Sequence, residues 1–567
     1  PGYLTSAPGR GIRHAMRRAA RPLVALALVL LHGCAAFRTL ARPDPEPAPA
    51  AAPWTVRCTW VEHRPAGAEQ DLGPADHGAL WAQDPNGRRV VIRGGLEDGF
   101  LRVDALAAWT PERGDEELGV APSVDALRWL CADTVARELA GRDVTVDRIA
   151  AARADENVDV AMALADDLPG APKTTAKRIV VFGDSLSDPG NLKRRLLVFP
   201  NAPYYLGRFS DGPNWAQYLA ERTSLPVYNH AVGGAVSVEH ADVPASGILS
   251  AVQQGAQFLL TGSVEEYVTH YLTRDLSDGQ LQRTNDTVFV LWSGGNDYLS
   301  KEPISGDIDT LLDEPHEPSG YLTVVDQTTT AIANQVRRLY AAGGRRFVVM
   351  TLPDLGTIPG VLHNDSYRAD EEGVSEAMRR AQLSRKMSQL TRHHNDQLAD
   401  KIADVRRELP GASITLLDTQ QAIASILAGR LPAPREGRSR GAGSGSALAG
   451  QTRFAYGFDL RTLRSTALRD RKGVIPIQDR CYRGGYLGTG DAENVCVEEA
   501  KVFFWDMVHP TSYTHCWLSF FVQRELATAG LIAGEPDPVA HRAYCARRQE
   551  LLPQSDALRE PVQVSAP

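Results

Sequence analysis

The sequence predicts an α/β fold, a parallel sheet wrapped by helices and preceded by a small β-rich or α+β domain. Short β-branched runs recur at 178–182, 226–228, 287–292, 346–352 and 413–417, with helical stretches between them that include 325–342 and 375–407. Strands that alternate with helices are joined by crossovers, which lay the strands parallel and place helices on the sheet faces. A third observation sets the front part apart. Residues 54–165 carry five of the nine tryptophans, Trp54, Trp60, Trp81, Trp109 and Trp129, with short alternating stretches at 54–60 and 89–93 and a helical stretch near 124–139.

Along the chain, Met16 is followed by Arg17, Arg18 and Arg21 and then by the apolar run 23–31. A basic stretch before a short apolar one is the pattern of a secretory signal. Residues 1–15 therefore read as a segment upstream of the start, and 16–33 as the signal peptide. The run ends in Leu31-His32-Gly33-Cys34, which resembles the site at which bacterial lipoproteins are cleaved and acylated. An acyl group on Cys34 would tie the chain to a membrane surface without spanning it. Ala35 stands where Asp would mark inner-membrane retention, so the expected place is the outer membrane, with secretion as the alternative. Residues 34–53 follow as a tether, with Pro and Ala alternating from 41 onwards. The main domain is expected over 175–546, with a flexible Gly- and Ser-rich insertion at 433–450 and a tail at 547–567.

Composition narrows the function. Apolar residues at 43% and charged residues at 23% are those of a globular chain, which excludes wholesale disorder. A net charge of −8 provides no basic excess to neutralise a phosphate backbone, so a dedicated nucleic-acid binder is excluded. No apolar run reaches the roughly 20 residues of a spanning helix. A monomer is expected, meeting only its substrate and, through Cys34, a membrane surface.

Seven cysteines are present, and setting Cys34 aside leaves six: Cys58, Cys131, Cys481, Cys496, Cys516 and Cys545. An even number in an exported chain points to disulfides, although six cysteines admit about fifteen connectivities. A bond between Cys58 and Cys131 is expected to clamp the front domain. Neither Cys-x-x-Cys nor His-Glu-x-x-His occurs, so zinc has no support, and no cofactor is expected. The pair His393-His394 reads as part of a solvated helix face.

Four short segments carry chemistry. Phe182-Gly183-Asp184-Ser185-Leu186-Ser187-Asp188 follows the first strand of the main domain. A serine on a tight turn after a buried strand is held rigidly at the sheet edge. Ser187 stands where the Gly-x-Ser-x-Gly elbow would need its second glycine, so that motif is not matched. Asn229-His230-Ala231-Val232-Gly233-Gly234 follows the strand at 226–228, and paired glycines let backbone N–H groups approach a ligand closely. Gly294-Gly295-Asn296-Asp297 follows the strand at 287–292, where an amide can donate to the same ligand. In Trp505-Asp506-Met507-Val508-His509-Pro510, a spacing of three brings carboxylate and imidazole together if one helical turn joins them. The carboxylate can then orient the imidazole as a general base.

This ordered set resembles the GDSL or SGNH hydrolase superfamily over about residues 178–528. The resemblance implies a flavodoxin-like three-layer α/β/α sandwich. It implies Ser185 as nucleophile, with Asp506 and His509 as its acid–base partners. Ser185, Gly234 and Asn296 would supply the oxyanion hole. Within the superfamily, the chain resembles the bacterial group of phospholipases and glycerophospholipid–cholesterol acyltransferases, which includes thermolabile haemolysins. That likeness rests on Gly207-Arg208-Phe209-Ser210-Asp211-Gly212-Pro213-Asn214-Trp215 and on the cysteines Cys481 and Cys496, which bracket a loop just before the last segment. The aromatic front domain resembles the extra domain of the haemolysin branch. Disulfides joining Cys481 to Cys496 and Cys516 to Cys545 are expected. The implied activity is hydrolysis of carboxylic esters, of phospholipids or lysophospholipids, with acyl transfer to a second alcohol as an extension. A carbohydrate O-deacetylase would use the same residues with a polar acyl pocket, and a silenced hydrolase could serve as a surface-binding lipoprotein.

Overall fold

In a computed structural model of the chain, the described residues are most of 175–550 and five strands ahead of them. Within that span the segments 240–260, 276–283, 300–310, 364–372, 432–451, 459–465, 487–494 and 497–501 and some shorter runs are excepted. The signal peptide, Cys34 and its tether, the strand expected at 89–93, the helix at 124–139 apart from Ala132 and Ala136, the bond between Cys58 and Cys131, the insertion at 433–450 and residues 551–567 lie outside the described residues.

Ten strands form one sheet. Its parallel half is built from β6 (Arg178–Gly183), β7 (Val227–Asn229), β8 (Thr287–Trp292), β9 (Arg346–Met350) and β10 (Ser413–Leu417). They stand in the order β10-β9-β8-β6-β7, each parallel to its neighbour. The front strands β1 (Trp54–Glu62), β2 (Gly78–Leu80), β3 (Leu101–Val103), β4 (Val144–Arg153) and β5 (Asp159–Ala163) continue the same sheet. The join is antiparallel, with Asp159 opposite Asn229 and Ala161 opposite Val227. Without β5, the β7 side of the parallel half would present unpaired N–H and C=O groups.

Alternation along each strand builds the two outer layers. Ile179 and Val181 of β6, with Val288, Val290 and Trp292 of β8, pack in one core with helices α1 (Trp215–Thr223) and α5 (Ser512–Thr528). Val180 and Phe182, with Phe289 and Leu291, pack on the opposite face against α2 (Tyr321–Ala341) and α3 (Glu376–Glu408). The result is the expected α/β/α sandwich. Helix α4 (Thr419–Leu427) follows β10, and α6 (Pro538–Glu550) runs beyond the expected boundary at 546. Its Arg548 pairs with Glu221 of α1, and the disulfide between Cys516 and Cys545 ties α5 to α6.

Two expectations change. Helix α2 begins at Tyr321 rather than near 325, because Gly320 at its N-cap offers no side-chain bond that the sequence could signal. His394 is not on a solvated face. It lies on the inward stripe of α3 with Met387, Leu390 and Leu398, fully buried. Its Nδ1 meets the Tyr298 hydroxyl at 2.7 Å, and burial pushes its pKa down to about 4.

Candidate active site

The chemistry gathers at the C-terminal ends of the parallel strands, where open α/β sheets place their sites. β6 ends at Gly183, where a Cβ would come within 2.6 Å of the Trp292 carbonyl of β8, so only glycine fits between the strands. The turn that follows is closed by Asp184, whose backbone carbonyl accepts the Ser187 N–H at 2.9 Å and whose Oδ1 accepts the Leu186 N–H at 3.1 Å. Ser185 sits in this turn. The Ser187 carbonyl is held by the carboxamides of Asn214 and Asn229 at 2.8 and 2.7 Å, and its Oγ accepts the Trp215 indole N–H at 3.0 Å.

His509 reaches the nucleophile turn from the far end of the chain. Its Nε2 is 2.7 Å from Ser185 Oγ, and its Nδ1 is 2.8 Å from Asp506 Oδ2. Asp506 Oδ1 accepts the backbone N–H groups of Val508 and His509 at 2.8 and 2.7 Å. These bonds fix the carboxylate within a loop, so the expected helical turn is replaced by a side-chain-closed turn, and α5 starts only at Ser512. With Asp506 accepting from Nδ1–H, Nε2 is left free to accept the Ser185 proton. Burial pushes Asp506 up, but the His509 charge and the N–H bonds outweigh it and hold the carboxyl below its ordinary value. Both residues are buried.

The segments that carry the other two oxyanion candidates, Gly234 and Asn296, are joined to each other. Gly234 has φ +78°, a left-handed conformation that favours glycine, and a Cβ there would meet Thr261 Cγ2 at 2.8 Å. Asn296 lies on a short helix, Gly295–Leu299, straight after β8. One N–H of its amide goes to the Ala235 carbonyl at 3.0 Å, leaving the other for a ligand. The neighbouring Asp297 accepts the Ser237 N–H with both oxygens, which binds this segment again to the glycine segment.

Ser185 and Asn296 open on one cavity. Apart from these two, Asp184, Asp354 and Thr357, its lining is apolar or glycine, with Leu186, Leu299, Leu352, Ile358, Phe503 and Leu518 among the side chains. Asp184 is the buried acid beside the nucleophile. Burial pushes its pKa up to about 7, against the opposing Leu186 N–H and His509 charge, and Asp297 pushes it further up. Sequence reasoning did not single out Asp184 or the cavity, whose walls come from segments more than 300 residues apart.

The second expected loop bond is present, joining Cys481 to Cys496. Cys516, Cys545 and His541 bring ligand atoms within 4.8 Å of one another, but the two sulfurs are bonded to each other, which removes both as metal ligands. Two disulfides are the mark of a chain that matures in an oxidising compartment.

A family model of GDSL-like lipases and acylhydrolases matches residues 179–519. The chain is 26% identical over 359 residues to the phosphatidylcholine-sterol acyltransferase of Aeromonas hydrophila, which covers 60% of this chain and 88% of that protein. It is 25% identical over 352 residues to the thermolabile hemolysin of Vibrio parahaemolyticus, covering 60% of this chain and 62% of that one. Among solved structures, an acetylxylan esterase from Geobacillus stearothermophilus matches over 63% of this chain and 96% of its own, at 11% identity and a TM-score of 0.26, a likeness too slight to bear on substrate. The family match spans more than half of the chain and takes in every residue of the site, so the chain belongs to the GDSL-like lipase/acylhydrolase family and is a serine ester hydrolase.

Proposed function

We propose that the protein is an exported lipase that hydrolyses acyl esters of phospholipids or lysophospholipids through an acyl-Ser185 intermediate. The observation that carries this reading is the apolar cavity beside Ser185. An acyl chain gains about 0.8 kcal/mol for each CH2 it buries, whereas a sugar would leave its hydroxyls unpaired against Leu and Phe side chains. The relative named for phosphatidylcholine and sterol agrees with a lipid ester, and with transfer of the acyl group to a second alcohol.

In this mechanism His509 Nε2 takes the Ser185 proton as Oγ attacks the ester carbonyl. Asp506 holds the ring and balances the imidazolium. The backbone N–H groups of Ser185 and Gly234 and the Asn296 amide receive the oxyanion. His509 then protonates the leaving alcohol, and water or a second alcohol, deprotonated by the same ring, releases the acyl group. No step calls for a metal or organic cofactor.

Purified protein incubated with a mixture of phospholipids and lysophospholipids should release fatty acid and the matching alcohol, identified by mass spectrometry. Turnover of acetylated sugars with no release from any phospholipid would overturn the lipid reading. The Cys34 acyl anchor belongs to the same proposal, since it would keep the enzyme at a lipid surface. The mature chain should begin at Cys34 and carry an acyl mass, and a mature chain without that mass would reject the anchor.

A further inference from the structure

The Gly207–Trp215 segment marks a family likeness but has no role in the mechanism above. Together with Tyr204 it bridges the two halves of the site. Asn214 and Trp215 hold Ser187 of the nucleophile turn. Phe209 lies against the His509 ring, with centroids 4.9 Å apart. Ser210 Oγ donates to the Pro510 carbonyl at 3.0 Å, and Asp211 Oδ1 accepts the Ser512 N–H at 2.6 Å. The contact that bears on chemistry is at Tyr204, whose hydroxyl donates to Asp506 Oδ2 at 2.7 Å.

We propose that Tyr204 is a positioning residue that tempers the basicity of the Asp506–His509 pair by sharing Asp506 Oδ2 with the imidazole. This rests on the reading of Asp506 and His509 as the acid–base pair. Nδ1 of His509 lies 2.9 and 2.8 Å from Oδ1 and Oδ2 of Asp506, and at Oδ2 the phenol competes for the same negative charge. Among the described residues no Lys or Arg bonds to Asp506, so a neutral donor stands where a cation could have neutralised the carboxylate outright. A phenol withdraws part of the charge and leaves the rest for the imidazolium.

The phenol is aimed by packing from three parts of the chain. Tyr204 is 1% exposed. Its ring meets Tyr482, Trp505 and Phe209 edge-on, with centroids 5.4, 6.1 and 6.4 Å away. Tyr482 follows Cys481, whose bond to Cys496 closes the loop, and the Cys481 N–H donates to the Phe504 carbonyl at 2.9 Å. Burial first, and then the Asp506 charge, hold Tyr204 protonated and therefore a donor. The other groups that act electrostatically on this pair are Asp184 on the nucleophile turn, Tyr486 beside Tyr204 and His515 on α5. Tyr486 is 39% exposed, and desolvation of its hydroxyl together with the Asp506 charge keeps it protonated; His515 is pushed down to about 3 and Asp184 up to about 7. All three are the same in wild type and in a Tyr204 variant, so a difference between the two profiles reports Tyr204.

The test is Tyr204→Phe in the full chain, which keeps the ring and removes only the donor. Rates on a soluble aryl butyrate are measured across roughly pH 5 to 9, beside His509→Ala. With its competitor gone, Asp506 favours the imidazolium more strongly. The acid limb of kcat/KM should therefore move to higher pH, by about half a unit to one unit. Plateau kcat should fall about 3- to 10-fold with KM within about two-fold. An acid limb at its wild-type position, or displaced to lower pH, would overturn the proposal and leave Tyr204 as packing. If instead His509→Ala keeps wild-type turnover, the acid–base reading itself fails and the Tyr204 proposal falls with it. An inactive His509→Ala beside an unchanged Tyr204→Phe profile isolates the failure to Tyr204.

Discussion

The Asp188 carboxylate, three residues past the nucleophile, accepts the Gly233 N–H at 2.7 Å. The same carboxylate accepts the N–H groups of Gly190 and Leu192 at 2.7 and 3.1 Å, and that of Asn191. One side chain thus locks the turn that carries Ser185 to the glycine pair that carries the Gly234 N–H. Nucleophile and oxyanion donor are set by a single buried group.

Asp188→Asn should therefore disturb both. Its Oδ1 can still accept, but its NH2 would face the Gly233 and Leu192 donors, leaving two buried N–H groups unpaired. A stability loss of about 2–4 kcal/mol is expected, with turnover down at least roughly ten-fold in the fraction that stays folded. Urea unfolding and kinetics on an aryl ester measure the two effects, and wild-type values for both would refute this account of Asp188.

Asn296→Ala removes one oxyanion donor and the bond to the Ala235 carbonyl. Turnover should fall about 10²–10³-fold. KM should stay within a few-fold, because the donor matters most in the transition state. A rise in KM at unchanged kcat would make Asn296 a substrate-binding residue instead.

Asp506→Asn and His509→Ala should differ in degree. The Asn carbonyl can keep the Val508 and His509 N–H groups that Asp506 Oδ1 accepts, so the loop should hold its shape. Its amide would then face Nδ1 and favour the wrong tautomer. A loss of about 10²–10⁴-fold in kcat is expected, smaller than that of His509→Ala. Turnover of both variants on one ester, with folding checked by circular dichroism, measures the difference. Wild-type turnover in Asp506→Asn would remove Asp506 as the orienting acid.

Much of this site was legible because its chemistry sits directly after strands. Gly183, Asn229 and the Gly294-Gly295 pair each stand where a β-branched run stops, and the order of the four segments carried Ser185, Gly234, Asn296, Asp506 and His509. What did not show in the sequence is tertiary. Gly233 is 45 residues from Asp188, and Tyr204 is 302 residues from Asp506. The cavity beside Ser185 draws one residue each from β8, α4 and α5 and the rest from the four segments 184–186, 295–299, 352–358 and 503–510. His394 is different, since its spacing from Met387, Leu390 and Leu398 marks the apolar stripe of α3 and could have been read. The Asp-x-x-His spacing fits a helical turn and a side-chain-closed loop equally well, and only the backbone distinguishes them.

Asp184 should make stability fall as pH rises. Its pKa is raised by burial from 3.8 in the unfolded chain to about 7 in the fold. Below 3.8 both states are protonated; between the two values only the unfolded chain ionises, so folding loses ground until about pH 7. Asp184→Asn does not titrate. Its advantage over wild type should grow by about 2–3 kcal/mol between roughly pH 5 and pH 8. Urea midpoints at the two pH values measure this, and a difference independent of pH would place Asp184 in a more solvated setting.

The central claim is that the acyl group passes through Ser185, and the most direct measurement is to trap it there. Wild-type protein mixed with an aryl ester and quenched in acid, or treated with an alkyl phosphonate, is digested and the modified peptide sequenced by mass spectrometry. A single adduct on Ser185, absent from Ser185→Ala, is the expected result. An adduct on another serine, or labelling that persists in a folded Ser185→Ala, would contradict it.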